Sequence, residues 1–372
     1  MLLNAFLECS TNAILKLNGN SMTNTTLSAH QILIETVQKN CNIADARHAG
    51  DFTLCVYLLK MREMFRWEQG ISFNELIGVD DVGDWLTARE GLWDDLEELD
   101  YVPMVIEGVS YEAFDNEGIN AVLNPQGLIY SAGLGVRCRP HFFIAKLEDH
   151  YQRDGVDIFI SGAEYARDMA APPAMMQNGL IFIRHESLRR MLWEKVEEWR
   201  MSPVDSPLGR AVAAYDFEGD IEVALDKMAA VESALIIEHE LGEVLAGKQL
   251  GARWNEMLNT LPRSTSEIML RAIRDHLADA LTTLGQVVVK NNPASIHFYF
   301  GSMTAMRKKI APQLMSAYEA WYESGDLKYI ADIIEPSRQH WGDLAKQCLG
   351  IFAEKGADAS VDIEALVERN YL

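Results

Sequence analysis

The sequence predicts an α+β protein: an N-terminal mixed α/β domain with a mostly antiparallel sheet, followed by an all-α helical bundle. Three observations carry this. Short β-type apolar runs separated by turn signals occupy residues 102–184. From Asp220 onward, 3.6-residue apolar periodicity dominates. Between the two lies Ser202-Pro203-Val204-Asp205-Ser206-Pro207-Leu208-Gly209, whose prolines forbid a continuous helix. At 372 residues the chain exceeds what one core usually organises, and 48% hydrophobic with 24% charged residues is a folding composition. The expected organisation is a domain at 22–201, a linker at 202–209 and a bundle at 210–372, with 1–21 a disordered extension.

Taken in order, residues 27–69 read as two helices broken near Asn42–Asp45, and the second, from His48 to Trp67, is strongly periodic. A third helix is expected over 83–99. Strands follow at 102–109, 119–123, 128–132, 142–147, 156–161 and 180–184. Asn124-Pro125-Gln126-Gly127 and Arg153-Asp154-Gly155 are turn signals, which favour hairpins over parallel βαβ units. A helix over 186–200 closes this half. The bundle reads as helices at 220–247, 252–261, 266–288, 294–320, 326–352 and 361–369.

The net charge is −22, and residues 75–117 hold fourteen acidic residues against the single base Arg89. A field of that sign repels phosphate backbones, so no nucleic-acid partner is expected. The acidic segment reads either as a solvated face or as a docking surface. No run of apolar residues is long enough for a membrane helix. Cys9, Cys41, Cys55, Cys138 and Cys348 are scattered and odd in number, which suits a reducing cytoplasm better than a disulfide framework.

The stretch that carries chemistry is Glu232 to Glu243. At about 100° per residue, Glu232, His239 and Glu243 fall on one line of a helix, in the same stripe as Leu225, Met228 and Ile236. Charges on an apolar face need partners. The next long helix offers His276 and Asp279, and the one after it opens with His297. No lysine or arginine is evident at a comparable central position, so a divalent cation (Fe, Mn or Zn) is expected to complete the charge balance. The competing reading is a hydrogen-bonded network that fixes helix register.

Facing carboxylate and imidazole groups in a bundle resemble the centre of di-iron carboxylate proteins, although no Glu-x-x-His pair is present. The pentapeptide His239-Glu240-Leu241-Gly242-Glu243 resembles the zincin metallopeptidase motif H-E-x-x-H, with Glu243 in place of the second histidine. That resemblance covers five residues. It implies His239 and Glu243 as ligands and Glu240 as the general base on a metal-bound water. A second polar line, His48, Asp51, Cys55, Arg62, Glu63 and Arg66, reads as an ion-pair network with Cys55 in the core, or as an Arg-rich anion site.

The leading expectation is therefore a metal-binding helical bundle, with redox or hydrolytic chemistry on an unspecified substrate. The rival is a non-catalytic interaction protein that docks a partner on its acidic 75–117 surface. The partner, small molecule or protein, and the oligomeric state are left open.

Overall fold

The computed structural model describes residues 24–135, 139–177 and 179–372, and the extension expected at 1–21 lies outside them. The architecture is α+β: sheets in the N-terminal half and helices after it. The chain divides into one unit of residues through Pro173 with Phe182–Arg190, and a second of Ala174–Ile181 with Met191–Leu372. The division falls ahead of 202–209, which lies inside the second unit. There Pro207 opens a short helix at its first turn, where no N–H is needed, and Ser206 caps it by accepting from Gly209 N at 3.1 Å.

In the first unit, α1 (Asn24–His48) runs unbroken through Asn42–Asp45. The polar groups there are occupied from outside the helix: Asn42 Oδ1 accepts from Arg89 Nη1 at 2.9 Å, and Asp45 accepts from Met169 N at 2.9 Å. The break comes instead after His48, and α2 (Leu54–Gln69) and α3 (Val79–Leu96) follow. Glu107 and Gly108, with φ of 53° and 79°, turn the expected strand at 102–109 into a hairpin of β1 (Met104–Ile106) and β2 (Val109–Tyr111).

Residues 119–123 belong to a helix rather than a strand, α4 (Asn116–Leu123). Asp115 caps it, accepting from Gly118 N at 2.9 Å, and Ile119 and Leu123 lie one turn apart in the core. Its Asn120 amide bonds both N (2.8 Å) and O (2.7 Å) of Tyr130, and Asn116 does the same to Ala132 (2.7 and 2.6 Å). Tyr130 and Ala132 sit on β3 (Leu128–Leu134), which pairs antiparallel with β4 (Pro140–Arg153), itself antiparallel to β5 (Val156–Arg167). The strand order of the five-stranded sheet is β3-β4-β5-β7-β6, where β6 is Ala174–Gln177 and β7 Leu180–Arg184.

The break after His48 divides the expected polar line, leaving His48 and Asp51 ahead of α2, and on α2 it is an ion-pair network: Glu63 meets Arg62 at 2.7 Å and Arg66 at 3.3 Å. Cys55 departs from expectation, since it is exposed.

In the second unit the long helices are α5 (His185–Met201, from Met191), α7 (Ile221–Leu250), α9 (Thr265–Leu281) and α15 (Ile334–Lys355), with α6 being Pro207–Val212 and α8 Ala252–Thr260. The helix expected over 266–288 breaks at Thr282 into α9 and α10 (Thr283–Lys290), and that over 294–320 divides into α11 (Pro293–Ser302), α12 (Ala305–Ile310) and α13 (Pro312–Ser324). Pro312 forces the last of these breaks. The 326–352 helix starts as α14 (Lys328–Asp332) before α15. Trp254, Ile273, Leu277, Phe300, Tyr318 and Trp341 form the buried centre. Among the described residues, no helix is long and apolar enough to cross a membrane.

Candidate metal centre

The centre is built where α7 crosses α9. Gly242 permits the contact: a Cβ there would lie 2.3 Å from Ala278 O and 2.5 Å from Thr282 Oγ1. Thr282 Oγ1 donates to Glu238 O at 2.6 Å and fastens the crossing. Side chains one turn apart flank it on both helices, His239 and Glu243 on α7, Asp275 and Asp279 on α9. His239 meets Asp279, and Glu243 lies near Asp275, so the two pairs run antiparallel.

Asp279 anchors the group from below. Its Oδ1 accepts from His239 Nδ1 at 2.8 Å, and its Oδ2 accepts from Tyr299 at 2.8 Å and from Arg307. Burial works to raise its pKa, but the charges of Arg307 and His239 outweigh it and hold the carboxyl well below its ordinary range. With Nδ1 committed, His239 directs Nε2 toward the half-buried mouth, 3.8 Å from Glu243 Oε1. Ligand atoms of His239, Glu243 and Asp275 lie within 4.8 Å of one another. Bonds of about 2 Å at tetrahedral angles place donors roughly 3.3 Å apart, a contraction within reach of side-chain rotation.

Burial alone would lower the His239 pKa, but Asp279, Glu243 and Glu240 raise it to about 9. Glu240 is buried and lifted to about 7, by desolvation first and then by Glu243. Two arginines balance the carboxylates: Arg274 Nη2 donates to Glu243 Oε1 at 2.8 Å, and Arg307 pairs with Asp279. The expectation that no base stands at the centre is thereby corrected. Arg274 belongs to the facing helix itself, and Arg307 arrives from α12.

Of the residues singled out in the sequence, His239, Glu243 and Asp279 come together, with Glu240 beside them. Glu232, His276 and His297 are held elsewhere. Glu232 accepts from Ser295 Oγ at 3.0 Å and Tyr215 at 3.4 Å. His276 donates from Nε2 to Arg307 O at 3.0 Å and stacks on Trp341; burial, then the Arg307 charge, lowers its pKa to about 3. His297 is hydrogen-bonded to Tyr318 at 2.9 Å among Trp321 and Tyr322. Glu232 lies seven residues before His239 on α7, about 10 Å along the axis, so one shared line of that helix spans two neighbourhoods. Asp275 was missed, although its four-residue spacing to Asp279 repeats that of His239 to Glu243.

No curated protein and no solved structure matches the chain. Residues 32–184 match the N-terminal domain, and residues 189–370 the C-terminal domain, of a family of unknown function, DUF6866. With both of its domains present in order, the chain belongs to the DUF6866 family.

Proposed function

We propose that the second unit binds a divalent transition metal, Fe, Mn or Zn, through His239 Nε2, Glu243 and Asp275, with Asp279 positioning the imidazole through Nδ1. The single observation that supports this most is the convergence of two carboxylates on an imidazole whose other nitrogen is already fixed by a third, buried carboxylate, a common arrangement behind metal-bound histidines. Three protein ligands leave coordination positions for water or substrate, so the reading is of a hydrolytic or redox centre. Glu240 is the proposed general base. Binding displaces the His239 Nε2 proton and draws Glu243 away from Arg274.

One observation favours a second reading. His239, Arg274 and Arg307 as cations offset Glu243, Asp275 and Asp279 as anions, so the six groups also balance as a metal-free brace between α7 and α9.

Elemental analysis of protein purified without added metal, followed by titration with Zn²⁺, Mn²⁺ and Fe²⁺, separates the two. The metal reading expects near-stoichiometric uptake that His239→Ala and Asp275→Asn each weaken by about tenfold or more while helicity persists. Uptake that is absent in the wild type, or equal in the variants, leaves the brace.

The free thiols Cys41, Cys55 and Cys348, with Cys55 exposed, support placing the protein in a reducing, cytoplasmic compartment. Its negative charge supports a small-molecule or protein partner and no nucleic acid.

A further inference from the structure

The first two turns of α2 present Leu54 (70% exposed), Val56 (42%), Leu58 (45%) and Leu59 (45%) to solvent, with Cys55 among them. The helix buries its other side normally, packing Met61 and Met64 with Trp93 of α3. An amphipathic helix usually turns such residues inward, and a cluster of apolar side chains left outside marks an interaction surface. This face has an acidic flank. α3 runs beside α2, as Tyr57 shows by donating to Glu90 Oε1 at 2.8 Å. Along its exposed side α3 carries Glu90, Asp94 and Asp95, and Glu97 and Glu98 follow. Arg89, the only base among residues 75–117, is buried and bonded to Glu68 and Asn42, so it does not offset them at the surface.

We propose that this face docks an amphipathic helical segment of a partner protein, its apolar edge on Leu54, Leu58 and Leu59 and its flanking lysines or arginines on Glu90, Asp94 and Asp95. The acidic rim decides the occupant. A second copy of the chain would bring two such rims together, and like charges across an interface are repelled, whereas a basic helix is drawn in.

The probe is a fluorescently labelled peptide of leucine and lysine patterned so that the leucines line one helix face. Its anisotropy is titrated with the full chain, beside a scrambled peptide of the same composition and a patterned leucine–glutamate peptide. Only the patterned leucine–lysine peptide is expected to bind. Leu54→Asp/Leu58→Asp should weaken it by about tenfold or more, and Asp94→Lys/Asp95→Lys should flatten its salt dependence. Circular dichroism checks the fold; if the double variant loses helicity, Leu54→Asp alone, at the most exposed of these positions, carries the comparison. Equal binding of the scrambled peptide, or an affinity unmoved by the leucine substitutions, overturns the proposal. So does a wild-type dimer that Leu54→Asp makes monomeric, since the occupant is then a second copy.

Discussion

Glu232 is fully buried, and its Oε2 has no hydrogen-bond partner among the described residues. Burial pushes its pKa up to about 7, against the smaller opposing effect of the Ser295 and Tyr215 hydrogen bonds. An unfolded glutamate ionises near 4.3. Below that value both states hold the proton and Glu232 has no net effect. Between about 4.3 and 7 the unfolded chain alone ionises, so stability falls as pH rises through this window and levels off above it. Glu232→Gln removes the titration. Its stability relative to wild type should therefore rise between pH 5 and 8, by on the order of 3 kcal/mol. Urea unfolding at the two pH values measures this, and a constant difference would refute it.

At the scale of elements, the crossing of α7 and α9 depends on one missing methyl group. Gly242→Ala sets a Cβ against the Ala278 carbonyl, a backbone atom that cannot step aside, so the helices must separate. Overpacking of this kind costs about 1–3 kcal/mol. Gly247, on the same helix, has no tertiary neighbour among the described residues within 4 Å of where a Cβ would sit, and Gly247→Ala should be neutral or stabilise by up to about 1 kcal/mol. Thermal unfolding of the two variants tests the pair, and similar melting temperatures would count against a tight crossing. The crossing also explains what could be read in advance. His239 and Glu243 were legible because their spacing alone puts them on one helix face. Asp275, Arg274 and Arg307 were not, because selecting them requires knowing which turn of α9 and which end of α12 face that helix. Likewise the turns at 124–127 and 153–155 were visible as local chemistry, although only the second closes a hairpin and the first joins α4 to β3. Residues 119–123 were misread because a short apolar run suits a strand or a buried helix equally, and Asp115, outside the run, decides it.

For the whole molecule, the charge of −22 is the dominant long-range property. The chain should pass through a duplex-DNA column at physiological salt, and retention that weakens steeply with added salt would show a basic face that the net charge conceals. The compact units of the chain and its prolines report on different things. Pro203 and Pro207 mark where helices stop and start, while the units are set by which apolar faces pack together, and neither proline reports on that.

The amides of Asn116 and Asn120 have a consequence beyond α4 itself. A strand at the margin of a sheet offers its spare N–H and C=O groups to any extended chain that drifts by, which is how ordered proteins recruit one another into fibrils. On β3, the groups of Tyr130 and Ala132 are already taken by two side chains spaced one helical turn apart, so that a helix stands in for the missing neighbour strand. Over these two residues the margin is closed without a further strand, and two asparagines guard this edge of the sheet against polymerisation.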